Sequence, residues 1–377
     1  MSAKHPLRVV ITEASDYIAR SLAYRILSDD VFGSDQQIIL CLFDNSDLFL
    51  ESISIEITAC APALLKDIVH SNDPAVAFKD ADVVFSIGTA RDYNFTDVDI
   101  RRDPFFRDYV LETKNNALAI QSYAKKDAKV VTLGNTAARL ISEYAPSLPK
   151  ENITAVTLAI QRFVTFHIAK KTKRLASDVK NLIVWGTNSK KALPCCNYAK
   201  IDGDRFVIDV IKDDEWCKKT LPKLINNLFS KCHYRVSEAL ALADHCKFLI
   251  QGTPDGEWTN MSVVSDGSYG VTPGVYFSFP VYCTNGRWDI VKDLHVEDYC
   301  RSSFGALLAI LEKRFAIAMD ICSKATVKKH PEKKPQRSSL KSNNKVTVEK
   351  TLSIHSKPES YGVGYTFANS DSSSSTM

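Results

Sequence analysis

A chain of 377 residues, 45% of them hydrophobic, is long enough for more than one core and too apolar to be disordered throughout. No run approaches the roughly 18 continuous apolar residues of a membrane-spanning helix, so no membrane span is expected. The net charge of +4 gathers at one end: residues 327–377 hold nine Lys and Arg against four acids, which leaves a near-neutral body and argues against nucleic-acid binding.

In chain order, "LRVVIT" (7–12) reads as a buried strand and "DYIARSLAYRIL" (16–27) as the helix behind it. Further near-continuous, β-branched runs follow at "QIILCLFD" (37–44), "ADVVFSIG" (81–88) and "AKVVTLGN" (128–135), with a helix over "YVLETKNNALAIQSYAKK" between the last two. Strands of this kind belong in a parallel sheet covered on both faces, and the βαβ alternation through residue 154 predicts a doubly wound α/β domain. From 155 to 326 the pattern changes to a helix ("AIQRFVTFHIAKKTK"), a short strand ("NLIVWG"), a helical stretch near 220–248, a hairpin around "VVSDGSYG" and a long final helix. That predicts an α+β second domain.

Residues 327–377, rich in Ser, Lys and Pro, have a disordered composition and serve as a solvating tail or a tether to an acidic partner. The ten cysteines contain no C-x-x-C pair, so zinc is not expected and a reduced, cytoplasmic set of buried thiols is. The amino terminus lacks a signal-peptide apolar region.

Two local features bear on function. The turn after the first strand reads Glu13-Ala-Ser-Asp16, where a dinucleotide-binding protein has glycines that let the backbone approach a pyrophosphate. The second strand ends in Asp44, which either hydrogen-bonds the ribose hydroxyls of an adenosine or caps a helix; the sequence leaves both open.

Several stretches are similar to one family: "VFGSDQQIILCLFDN", "AFKDADVVFSIG", "YAKKDAKVVTLGN", "APSLPKENITAVT", "GTPDGEW" and "VSDGSYGV". Over about residues 7–322 the chain resembles the cytosolic-type malate dehydrogenases. The resemblance implies a Rossmann-type dinucleotide-binding domain over 1–154, a substrate domain over 155–326, and a homodimer; if catalysis is lost, a heterodimer with an active relative is the other expected assembly. It also implies NAD as cofactor and descent from an enzyme that interconverts malate and oxaloacetate.

That chemistry needs a hydride carrier, a histidine base supported by a carboxylate, and arginines that grip carboxylates with paired hydrogen bonds. Aligned on Trp185-Gly186, the resemblance puts Asn188 at the base, and asparagine does not titrate. It puts Ile160 at the supporting Asp and Phe163 at a substrate-binding Arg. Arg162 is expected to turn away from the ligand face, about 100° round the helix. His167, one turn beyond Phe163, has no carboxylate partner on its helix, and His233, His245 and His295 sit in no catalytic setting.

On the loop after the fourth strand, longer than its counterparts, Arg91 and either Arg101 or Arg102 take the places of two substrate-binding arginines, or are merely exposed charge. Asn135 and Ser237 match residues beside the nicotinamide, Asn135 also touching substrate, and either residue can equally be kept for local hydrogen bonding. In the phosphate turn Ile18 matches a cofactor-contacting position, while Glu13 and Asp16 replace the two glycines. Each adds a Cβ and a negative charge near the phosphates, or else points into solvent. The expectation is a malate-dehydrogenase-like pseudoenzyme, with catalysis and NAD binding weakened or lost and a small-molecule substrate doubtful. The alternatives are an active NAD-dependent malate dehydrogenase with a rearranged site and a metabolite or nucleotide sensor.

Overall fold

A computed structural model describes residues 4–28, 30–88, 100–231 and 236–325; Arg91, His233 and the 327–377 tail lie outside these. The first half runs β1 (Leu7–Ile11), α1 (Tyr17–Ile26), β2 (Ile38–Phe43), α2 (Leu50–Ala59), β3 (Leu65–Ser71), α3 (Pro74–Ala77), β4 (Val83–Ser86), α4 (Pro104–Tyr123), β5 (Lys129–Thr132), α5 (Asn135–Tyr144) and β6 (Ile153–Val156). The second half runs α6 (Leu158–Thr172), β7 (Ile183–Trp185), β8 (Leu193–Cys195), β9 (Lys200–Ile201), β10 (Arg205–Phe206), α7 (Val207–Ile211), α8 (Leu221–Lys231), α9 (Val236–Gln251), β11 (Thr259–Val264), β12 (Tyr276–Thr284), β13 (Arg287–Ile290) and α10 (Asp298–Lys324).

Strands β3-β2-β1-β4-β5-β6 pair in parallel in that order, the doubly wound arrangement predicted from the apolar runs. The alternating faces of β1 explain the layering. Val9 and Ile11 pack with Leu22 and Ile26 of α1 and Ala239 and Leu242 of α9, whereas Val10 faces Ala117 and Ile120 of α4 and Ile141 of α5. Each such fully buried aliphatic side chain stabilises the fold by about 1.5–3 kcal/mol.

The second-half strands β11, β12 and β13 add antiparallel to the free edge of β6, making one nine-stranded sheet. The boundary drawn at 154 therefore falls inside β6, because residues on both sides share that sheet. The helical stretch near 220–248 resolves into α8 and α9. Strand β3 and helix α2, which no apolar run had signalled, lie at the opposite side of the sheet, where "LKDIVHS" is only partly buried.

Three caps position the site. Asp16 accepts from the Ile18 backbone N–H at 2.7 Å and starts α1. Asp103, followed by Pro104, starts α4. Lys173, in the left-handed region, stops α6.

Candidate functional site

The C-terminal ends of β1, β2 and β4 meet where a doubly wound sheet binds its ligand. There the chain turns at Glu13, which adopts φ 48°, a left-handed conformation that costs a side-chain-bearing residue about 1–2 kcal/mol. Its carboxylate points neither into solvent nor freely outward: only 9% of the residue is exposed. It accepts from the Gly88 backbone N–H at 2.9 Å, from Asn116 Nδ2 of α4 at 2.9 Å, and closely from the Thr12 hydroxyl. Gly88 is itself obligatory, since a Cβ there would lie 2.9 Å from the Tyr109 ring at a φ of +63°.

Burial pushes the Glu13 carboxyl upward against the lowering effect of these three bonds, and Asp44 adds to the rise. Glu112, one turn before Asn116, is raised to about 7, first by burial and then by Glu13, Asp108 and Asp44. Asp44 accepts from the Ser15 backbone N–H at 3.0 Å and hydroxyl at 2.7 Å, and from the Ser46 N–H at 3.2 Å. Ile18 is buried in the core with its N–H on Asp16. Of the backbone donors in this turn, those of Ser15 and Ile18 are met by the carboxylates of Asp44 and Asp16, and those of Ala14 and Asp16 by the Phe43 and Glu13 carbonyls.

A second feature lies between α6, α8 and α9. A cavity of about 260 Å³ is lined by Ala159, Ile160, Arg162, Phe163, Asn188, Leu228, Phe229, Ser237, Glu238 and Leu240. It brings together Asn188, Ile160 and Phe163, the positions the resemblance assigned to base, orienter and clamp, with Ser237 beside them. Ile160 is fully buried and continues the apolar row Val164 and Ile168 at helical spacing. Asn188, after β7, is buried and donates to the Leu133 carbonyl at 3.4 Å.

Arg162 also borders the cavity, contrary to the expected turn away from the ligand face, because its side chain reaches across to Asp244 on α9. The same Asp244 holds Arg25 at 2.9 Å. His167 is not among the lining residues; its ring stands edge-on to Phe163, with centroids 4.6 Å apart, and burial and then Lys170 hold it below the usual imidazole range.

The other expected residues have other surroundings. Asn135 donates to the Gly186 carbonyl at 3.2 Å, Ser262 Oγ at 2.9 Å and the Tyr276 carbonyl at 2.9 Å, and accepts from Thr187 at 3.0 Å. It joins α5 to β7, β11 and β12. Arg101 and Arg102 are exposed on a single turn ahead of α4 and do not line the cavity. His245, fully buried, bonds Thr154 at 2.8 Å and is depressed to about 3 by burial. Among the described residues no group of His, Cys, Asp or Glu is arranged to hold a metal, and no helix is long and apolar enough to cross a membrane.

Sequence reasoning missed Glu238, Glu112 and Asn116. Glu112 and Asn116 were detectable as a polar pair four residues apart on a helix that otherwise buries apolar positions. Glu238 adjoins the expected Ser237, but nothing local marks it as buried.

Residues 156–320 match the lactate/malate dehydrogenase α/β C-terminal domain. The chain is 35% identical over 340 residues to the human cytoplasmic malate dehydrogenase, covering 85% of this chain and 99% of that protein. It is 34% identical over 312 residues to malate dehydrogenase 3, cytoplasmic, of Arabidopsis thaliana, covering 79% and 91% respectively. Among solved structures, Trichomonas vaginalis lactate dehydrogenase in complex with NADH and oxamate superposes with a TM-score of 0.77 at 25% identity, covering 85% of this chain and all of that one. Fold, sheet order and sequence likeness across nearly the whole length of these relatives agree, and the chain belongs to the lactate/malate dehydrogenase family.

Proposed function

We propose that this chain is a non-catalytic member of the family, a dehydrogenase fold that neither holds NAD tightly nor transfers hydride. The observation that carries the reading is the shared cavity of Asn188, Ile160 and Phe163. A proton must leave the substrate hydroxyl as hydride departs, and no described residue lining that cavity is a histidine that could take it. An isoleucine cannot orient a base, and a phenylalanine cannot grip a carboxylate.

The cofactor end supports the same reading. NAD supplies hydride chemistry when bound, but in the turn that would face its diphosphate the Ser15 and Ile18 N–H groups are engaged by Asp44 and Asp16, and the diphosphate would meet the negative charge of Glu13 and Asp16. The residues present do not fit it. Arg162 does not replace the missing clamp, because it is paired with Asp244.

The remaining role is association, as a homodimer or with an active relative, in the cytoplasm like the named relatives. Neighbouring helices expose apolar side chains in support of it: Tyr17 of α1 (61%), Ile55 of α2 (61%) and Phe166 of α6 (56%). Light scattering on the eluted protein reads the mass, and a monomer at micromolar concentration removes the homodimer.

The direct test follows nicotinamide absorbance with NADH and oxaloacetate. Turnover within about a hundredfold of an ordinary dehydrogenase, whose kcat is on the order of 10 s⁻¹, overturns the proposal. The specific observation favouring an active enzyme is the 35% identity to one across its whole length, and the same assay decides it.

A further inference from the structure

We infer that the cavity between α6, α8 and α9 is a binding site for a neutral, largely apolar small molecule rather than for a dicarboxylate. This rests on the reading that the hydride-transfer machinery is gone from that place. Ile160, Phe163, Leu228, Phe229 and Leu240 make most of its wall, and Asn188 and Ser237 add uncharged hydrogen-bonding groups. The single cation among the described lining residues, Arg162, is ion-paired to Asp244, whose side chain is only 14% exposed.

Glu238, 6% exposed, adds a carboxylate to the wall. An anion entering here finds Arg162, the cation among the described lining residues, already engaged, whereas an apolar group sheds water against apolar walls. Charge complementarity therefore selects against the carboxylates that the family's arginines hold.

Size limits the ligand further. An apolar cavity of about 150 Å³ accommodates benzene, so about 260 Å³ accommodates roughly ten non-hydrogen atoms. The ligand class is a neutral ketone, alcohol or amide with a short aliphatic or aromatic body. Its polar end bonds the Asn188 carboxamide or the Ser237 hydroxyl, and its body lies against Phe163 and Leu228. No covalent step is involved.

Titration calorimetry on the full chain with 2-nonanone, against nonanoate of like length, tests this. Saturable binding of the ketone is expected, with the carboxylate at least about tenfold weaker. Ala159→Phe, which fills the cavity, should weaken ketone binding by a similar factor. Leu240→Glu, at a position already 39% exposed, should do so as well if the first variant fails to fold.

Absence of saturable ketone binding overturns the site. Equal affinity for the two probes overturns the ligand class, and ketone binding unchanged in a folded variant overturns the location. The failures separate cleanly from those above: NADH-dependent oxaloacetate turnover with ketone binding intact sinks only the non-catalytic reading.

Discussion

Replacing Glu13 by glycine should reopen the turn between β1 and α1 to a dinucleotide. The Glu13 carboxylate accepts from Gly88 N and Asn116 Nδ2 at 2.9 Å each, so a phosphate using this corner lies on the order of 4 Å from it. At an effective dielectric of about 20 that repulsion is about 4 kcal/mol, or about a thousandfold in affinity. Glycine removes the charge, frees the donors and is at ease at φ 48°.

Calorimetric titration with NAD⁺ at pH 8 should therefore show binding for Glu13→Gly at concentrations where the parent shows none. The Glu13 carboxyl is raised by burial, so it becomes neutral more readily than an exposed one, and the parent should gain affinity as pH falls. Stability follows the same sign. With a folded pKa above the ordinary glutamate value of 4.5, the contribution is fully present below that value and is lost as pH rises. Urea midpoints at pH 5 and 8 should differ less in the variant than in the parent. Equal NAD⁺ affinity of the two proteins at pH 8, or a micromolar Kd for the parent there, refutes the account.

Further expectations concern the rest of the site. Asn188→His, Ile160→Asp and Phe163→Arg together should yield NADH-dependent oxaloacetate reduction only when combined with Glu13→Gly, which steady-state assays with and without the fourth change can check. Asn135→Ala should cost about 2–4 kcal/mol in urea unfolding, because it unties acceptors on Gly186, Ser262 and Tyr276 and leaves Thr187 unmet. His245 is held neutral with a folded pKa of about 3, so its contribution is present above the ordinary imidazole value of 6.5 and lost as pH falls through the window between. The slope is roughly 1.4 kcal/mol per pH unit, and His245→Leu should flatten it in unfolding measured from pH 6.5 to 4. Glu112→Gln should raise the unfolding midpoint at pH 8 and change little near pH 4, since a carboxyl raised to about 7 penalises the fold only once ionised.

Much of this was legible in one dimension. The strands β1, β2, β4 and β5 announce themselves because a strand covered on both faces needs a continuous apolar run, and that is a local property. Strand β3 gives no such signal, because it pairs on one side only, with β2, and its residues are half solvated. Resemblance assigned Asn188, Ile160 and Phe163 to base, orienter and clamp, and the three line one cavity although Asn188 follows β7 and the other two lie on α6.

The amino-acid sequence by itself determined the doubly wound class, the basic tail and the residue types Asn188, Ile160 and Phe163 at the positions the resemblance assigned, since composition, period and residue identity are carried by neighbours along the chain. Only the tertiary structure decided where Glu13 points. Its partner Asn116 is 103 residues away, and whether a carboxylate faces solvent, a ligand or its own fold depends on how β1, β4 and α4 close around it. The same holds for Arg162, whose helical position suggested one direction and whose partner Asp244, on α9, imposed another. A side chain's length and charge are written locally; the groups that satisfy it are supplied by elements distant in sequence, so the final state of the phosphate turn and of the cavity is a property of the packed molecule.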